Sequence, residues 1–129
     1  MERRTALRVP VSMFMTQYVM DQPFRSLVTS LSATGLYTRR LIMPFDRGSR
    51  IVTVEIPLPG TTDSVVARGE VAYDAFDPNF HETGIHFADM ARKHRSMVRD
   101  YCESKRIQIL RGMMAAIRAR KHGHEVVSV

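Results

Sequence analysis

Apolar residues recur at every second position in Val9, Val11, Met13 and Met15, the period of a strand with one buried face. Pro10 has no N–H to give to a ladder, so this strand begins near it or lies on an edge there. A second strand is expected over Phe24–Thr29, and a third over Leu36–Met43 after the punctuating Gly35. Pro44–Gly48 reads as a turn. In Arg50–Leu58 the residues Val52, Val54, Ile56 and Leu58 share one face. A Pro, Gly and Thr-rich loop follows from Pro57 to Asp63. In Ser64–Phe76 the alternation puts Val65, Ala67, Val71 and Tyr73 on one side, and Arg68, Glu70 and Asp74 on the other. Asp77-Pro78-Asn79 is a turn signal, and Gly84, Ile85 and Phe87 mark a last strand.

After Met90 the period changes. Val98, Cys102, Ile109, Met113 and Ile117 recur at helical spacing, as do Met97 with Tyr101 and Leu110 with Met114. Glu103-Ser104-Lys105-Arg106 interrupts the stripe, so the segment is one long helix or two helices meeting there. Short strands followed by a helix predict a mainly β fold, a small antiparallel barrel of about six strands closed by a helix. The expected organisation is a barrel with an N-terminal arm over residues 1–101, a basic amphipathic helical extension over 102–121, and a flexible tail over 122–129.

Composition narrows the class. The chain has 129 residues, 44% hydrophobic and 25% charged, which suits one globular domain. The single cysteine, Cys102, excludes a disulfide framework and a multi-cysteine metal site, and fits a reducing compartment. No apolar run is long enough for a signal peptide or a membrane span, so a cytoplasmic protein is expected. The net charge of +6 is unevenly spread. Residues 1–90 carry nine Lys/Arg against ten Asp/Glu, and residues 91–129 carry ten against three. The body is near neutral and the C-terminal segment basic, which is not a nucleic-acid-binding face spread over the domain.

Two segments stand outside the strand pattern. Glu2-Arg3-Arg4-Thr5-Ala6-Leu7-Arg8 precedes the first strand, and Ser30-Leu31-Ser32-Ala33-Thr34-Gly35 joins two strands. The planar guanidinium of Arg4 and of Arg8 matches the O6 and N7 acceptors of guanine, stacks on purines and pairs with phosphate. Ser30 and Ser32 offer hydroxyls two residues apart, and Gly35 permits a positive φ or a close backbone approach. Each segment alone reads most simply as a solvated basic terminus and as a hairpin turn.

Together they resemble the PilZ domain family, which carries Arg-x-x-x-Arg before its first strand and Asp/Asn-x-Ser-x-x-Gly some two dozen residues later. Arg4 and Arg8 match the first motif, and Ser32 and Gly35 match the second. Gly69-Glu70-Val71-Ala72-Tyr73 resembles the family's later central strand, and Gly84-Ile85-His86-Phe87 its closing strand, so the likeness covers roughly residues 2–101. It implies a six-stranded antiparallel barrel with a C-terminal helix. It also implies cyclic di-GMP as ligand, bound by Arg3, Arg4, Arg8, Ser30, Ser32 and Gly35. Ser30 stands where the family has Asp or Asn. Losing that acceptor weakens binding by about 1–3 kcal/mol, tenfold to a hundredfold.

The expected function is a binding module rather than an enzyme. It is a cyclic di-GMP receptor that acts through an effector protein, and the resemblance suggests motility, pilus or exopolysaccharide control. The alternative is a PilZ-like interaction module that has lost the ligand. No cofactor, metal site or catalytic residue is expected. Cys102 sits on an apolar stripe, and His122-x-His124 lacks companion carboxylates or cysteines. The apolar stripe runs past Arg106, beyond what a small barrel covers, which suggests a self-association surface on Met113, Met114 and Ile117.

Overall fold

The computed structural model of the chain describes residues 7–41 and 50–127, with side chains as far as Lys121. Six strands precede one helix. They are β1 (Val9–Val19), β2 (Gln22–Ser32), β3 (Gly35–Leu41), β4 (Ile51–Ile56), β5 (Val65–Phe76) and β6 (Phe80–Met90), followed by α1 (Arg92–Val127). Every pairing is antiparallel, and the ring β1-β2-β3-β6-β5-β4 closes through β4 and β1. The expected six-stranded barrel is therefore the observed one. Met43 and the turn Pro44–Gly48 lie outside the described residues, as do Arg3, Arg4 and the side chains of His122 and His124.

The alternation that marked the strands fills the barrel. Val9, Met13 and Met15 of β1, Val52, Val54 and Ile56 of β4, and Val65, Ala67 and Val71 of β5 all point inward and are buried. Pro10 is exposed, and the β1–β2 register shifts between Pro10 and Met13, so the missing N–H falls at an irregular stretch. β1 and β2 meet in a two-residue turn, Met20 and Asp21, with φ of 53° and 66°. Two left-handed residues give the type I′ turn whose twist suits a hairpin.

The two ends of the barrel differ. At one end Val98 and Cys102 of α1 join the apolar core, with Met97 and Tyr101 packed at its margin. Cys102 Sγ donates to the carbonyl of Leu31 at 3.5 Å, and burial pushes its thiol up to about 11. Arg95 reaches the carbonyl of Ala33, and Lys93 pairs with Asp63 at 2.9 Å. The opposite end is polar inside. Ser26 donates to Gln17 at 3.0 Å, Thr38 to the Leu27 carbonyl at 2.9 Å, and His81 meets Asp74 at 2.6 Å.

Two expectations change. The first concerns β5. The β5–β6 register shifts between Val71 and Tyr73, leaving Ala72 as an extra residue. Such a bulge moves the following side chains to the other face. Tyr73 consequently points outward, 49% exposed, and Asp74 turns in toward His81, the reverse of simple alternation. The second concerns the helix. α1 is one continuous helix that crosses the 101/102 boundary and runs to Val127, into the segment expected as a tail.

Candidate ligand-binding site

The second motif is built around a tight turn between β2 and β3. Ser32 is 1% exposed, and its Oγ accepts from the backbone N–H of Thr34 and of Gly35, both at 3.2 Å. The same hydroxyl donates to the Gly35 carbonyl at 3.2 Å. Such a serine turn locks the backbone locally. Gly35 adopts no left-handed φ. Its requirement is space, because a Cβ there would run into the carbonyl oxygen of Ile85 on β6. Ser32 and Gly35 thus hold the turn against β6.

Ser30 faces the other way. The β2–β3 register shifts between Val28 and Ser30, which leaves Thr29 extra. Val28 and Leu31 are both buried, although three apart, and Ser30 between them faces the outside. The bulge within β5 does the same for Tyr73. One transverse row results across four strands, with Ser30 opposite Tyr37, Tyr37 opposite Gly84, and Gly84 opposite Tyr73. Gly84 is the gap in that row. A Cβ there would lie 2.8 Å from the Tyr37 ring and 3.1 Å from Tyr73 Cβ. Across the gap the two tyrosine rings meet edge to face, 6.0 Å apart and inclined by 78°.

Arg8 closes the row from the N-terminal side. Its Nη1 donates to Ser30 Oγ at 3.0 Å, and its guanidinium lies 4.8 Å over the Tyr37 ring. Among the described residues no carboxylate is in ion-pair distance of Arg8, so its charge is uncompensated there. Arg39, on the same face, is committed. It pairs with Glu82 at 2.6 Å, and that carboxylate holds the guanidinium protonated more firmly still.

Two hollows flank the tyrosines. One, of about 130 Å³, is lined by Arg8, Thr34, Gly35, Tyr37, Tyr73 and His86 among others. The other, of about 470 Å³, is lined by Ser30, Tyr37, Arg39, Tyr73 and Glu82 with Thr29 and Thr38. Together they form a shallow polar surface with two aromatic faces, the Arg8 guanidinium, the Arg39–Glu82 pair and several hydroxyls. A groove of about 740 Å³ between α1 and β1, lined in part by Met13, Met97 and Tyr101, is larger but gathers neither motif.

The structure therefore brings Arg8 and Ser30 into contact and places Ser32 and Gly35 in the turn beside them. Arg3 and Arg4 lie outside the described residues. Sequence reasoning missed Tyr37 and Tyr73. For Tyr37 the usable signal was an aromatic ring two residues after the Gly35 turn; Tyr73 carried none, because it sits on the apolar parity of β5 and only the bulge turns it outward.

The chain is a closed six-stranded barrel that carries an outer row of Ser30, Tyr37, Gly84 and Tyr73 with Arg8 over it. Residues 2–104 match the model of the PilZ domain, and the chain belongs to that family. No curated protein matches the chain by sequence. Among solved structures, the chain is similar to the Bacillus subtilis inhibitor of motility, MotI/DgrA, at 15% identity and TM-score 0.71, over 84% of this chain and 53% of that one. It is also similar to the PilZ domain of Escherichia coli YcgR, solved with cyclic di-GMP, at 10% identity and TM-score 0.64, over 87% and 98%. The Borreliella burgdorferi PlzA protein, in complex with cyclic di-GMP, follows at 5% identity and TM-score 0.53, over 84% and 53%. The chain thus spans about half the length of MotI/DgrA and of PlzA. At these identities the likeness is one of fold.

Proposed function

We propose that this chain is a cyclic di-GMP receptor that passes its signal to an effector protein, in motility, pilus or exopolysaccharide control. The observation that carries this reading is the contact between Arg8 and Ser30. The two motif segments lie 22 residues apart and converge at 3.0 Å over an exposed tyrosine. An arginine with no carboxylate partner among the described residues, an adjacent hydroxyl and two aromatic faces form a complementary surface for a guanine nucleotide carrying phosphate. The guanidinium takes the phosphate or the O6/N7 edge, and the rings take the purine face. In this reading Arg3 and Arg4 fold over the ligand with Arg8, and Ser30 contacts the guanine edge. Ser32 and Gly35 contribute by fixing the turn that presents Ser30. Two neighbours of the same fold were solved with this nucleotide, which supports the ligand class.

Titration calorimetry with cyclic di-GMP tests this on the wild-type chain and on Arg3→Ala, Arg4→Ala and Arg8→Ala. Saturable heat is expected for the wild type, with loss in Arg8→Ala and Arg4→Ala. A wild type that gives no heat overturns the reading. It leaves the interaction module without ligand, which the serine at position 30 favours.

A further inference from the structure

Beyond the barrel, α1 carries a second surface. From Leu110 to Lys121 every side chain is exposed, including Met113, Met114 and Ile117 at 55%, 57% and 59%. Met113 continues the core stripe, but Met114 and Ile117 do not. At about 100° per residue, Ile107, Leu110, Met114 and Ile117 fall in a strip about 80° wide, roughly 120° around the helix from Val98 and Cys102. The barrel-docking face and the exposed strip are therefore different faces of one helix.

The strip has a particular spacing. Ile107, Leu110, Met114 and Ile117 follow one another by three, four and three residues, the a and d positions of two heptads. Positions beside such a seam set the choice of partner. Here they are Arg106, Arg111, Met113, Arg118 and Arg120. Between Ser104 and Lys121 the helix has six basic residues and no acidic one. A second copy, in either orientation, would set arginines against arginines across the seam. A bilayer surface wants a wide apolar face with aromatic residues and a lysine-rich opposite side. This strip is narrow, no aromatic residue follows Tyr101, and the far side holds one lysine, Lys105, among Gln108, Gly112, Ala115 and Ala119.

We infer that Ile107, Leu110, Met114 and Ile117 form a docking seam for an amphipathic helix of another protein, with acidic residues flanking its own apolar seam. The inference rests on the helix alone and is independent of what the barrel binds.

The probes are three synthetic helical peptides of about four heptads. One has Ile/Leu at the seam and Glu beside it. One has the same seam with Lys beside it. One has Ser at the seam with Glu beside it. Binding to the full chain is measured by anisotropy of a labelled peptide at low and high salt. The first peptide is expected to bind at least about tenfold tighter than either of the others, and more weakly at high salt. Leu110→Glu with Met114→Glu should abolish it while leaving the far-ultraviolet dichroism unchanged, because both side chains are exposed. Equal binding of all three peptides, or none, overturns the inference. So does a dimer in sedimentation equilibrium, or co-sedimentation with phosphatidylglycerol–phosphatidylcholine vesicles, that the same substitutions abolish.

Discussion

Replacing Ser30 by aspartate restores the family's acceptor, and the structure sets the size of the effect. Ser30 Oγ already receives the Arg8 guanidinium at 3.0 Å. Changing a neutral acceptor to a carboxylate strengthens a hydrogen bond to a ligand N–H by about 1–2 kcal/mol. The same carboxylate would pair with Arg8 in the free protein, an exposed ion pair worth about 0.2–1 kcal/mol. Binding must share that pair, so its stabilisation is subtracted. The net gain is about 1 kcal/mol, or about fivefold in affinity. This is less than the motif comparison alone suggests, because the arginine that helps the ligand also occupies its acceptor. Calorimetry with cyclic di-GMP on wild type, Ser30→Asp and Ser30→Ala measures it. The expected order is Ser30→Asp tightest and Ser30→Ala weakest, with folding stability within about 1 kcal/mol of wild type. A Ser30→Asp variant that binds no better than wild type, or a Ser30→Ala variant that binds as well, refutes the assignment of this position to the ligand edge.

Tyr37→Ala removes one stacking face and should weaken nucleotide binding by about 1–3 kcal/mol, with dichroism unchanged. Gly35→Ala forces β3 away from the Ile85 carbonyl and should lower stability by about 1–3 kcal/mol, read as an earlier urea midpoint. Met20→Asn should raise stability by about 0.5–1 kcal/mol, since asparagine tolerates the left-handed φ of 53° better than methionine. The Cys102 thiol, raised to about 11 from 9.0 by burial, keeps its proton in the folded chain where the unfolded chain has lost it. Its contribution is therefore whole below pH 9 and falls as the pH rises toward 11. Urea midpoints of Cys102→Ala should decline less steeply over that range than those of wild type.

The barrel was legible because its strands bury one face each, and burial of one face writes itself as alternation. The helix was legible for the same reason at a different period. Alternation fails where a residue is dropped from a ladder. Nothing in the residues 70–76 announces that Ala72 is extra, so Tyr73 was read as core and Asp74 as surface. The site suffered most from this, since its row joins Ser30, Tyr37, Gly84 and Tyr73 through register. Register between distant strands is a property of the closed ring. Arg8 was legible as a motif member, and Ser30 as the position where the second motif departs from the family. The work of Ser32 and Gly35 inside the turn was not, because the Ile85 backbone that crowds Gly35 lies far along the chain.

The unlike ends of the barrel have a consequence for any shortened form of the protein. The polar end is sealed by bonds among its own walls, such as Ser26 to Gln17 and His81 to Asp74. Among the described residues the apolar end is closed by Val98 and Cys102 of α1, which act as its stopper. A chain cut before Arg92 would keep its ring of strands, with no open edge to recruit another sheet. It would instead expose the apolar core that Val98 and Cys102 cover, beside Leu31. Clumping of such a fragment would proceed through that end, and the helix is as much a solubility device as a structural one.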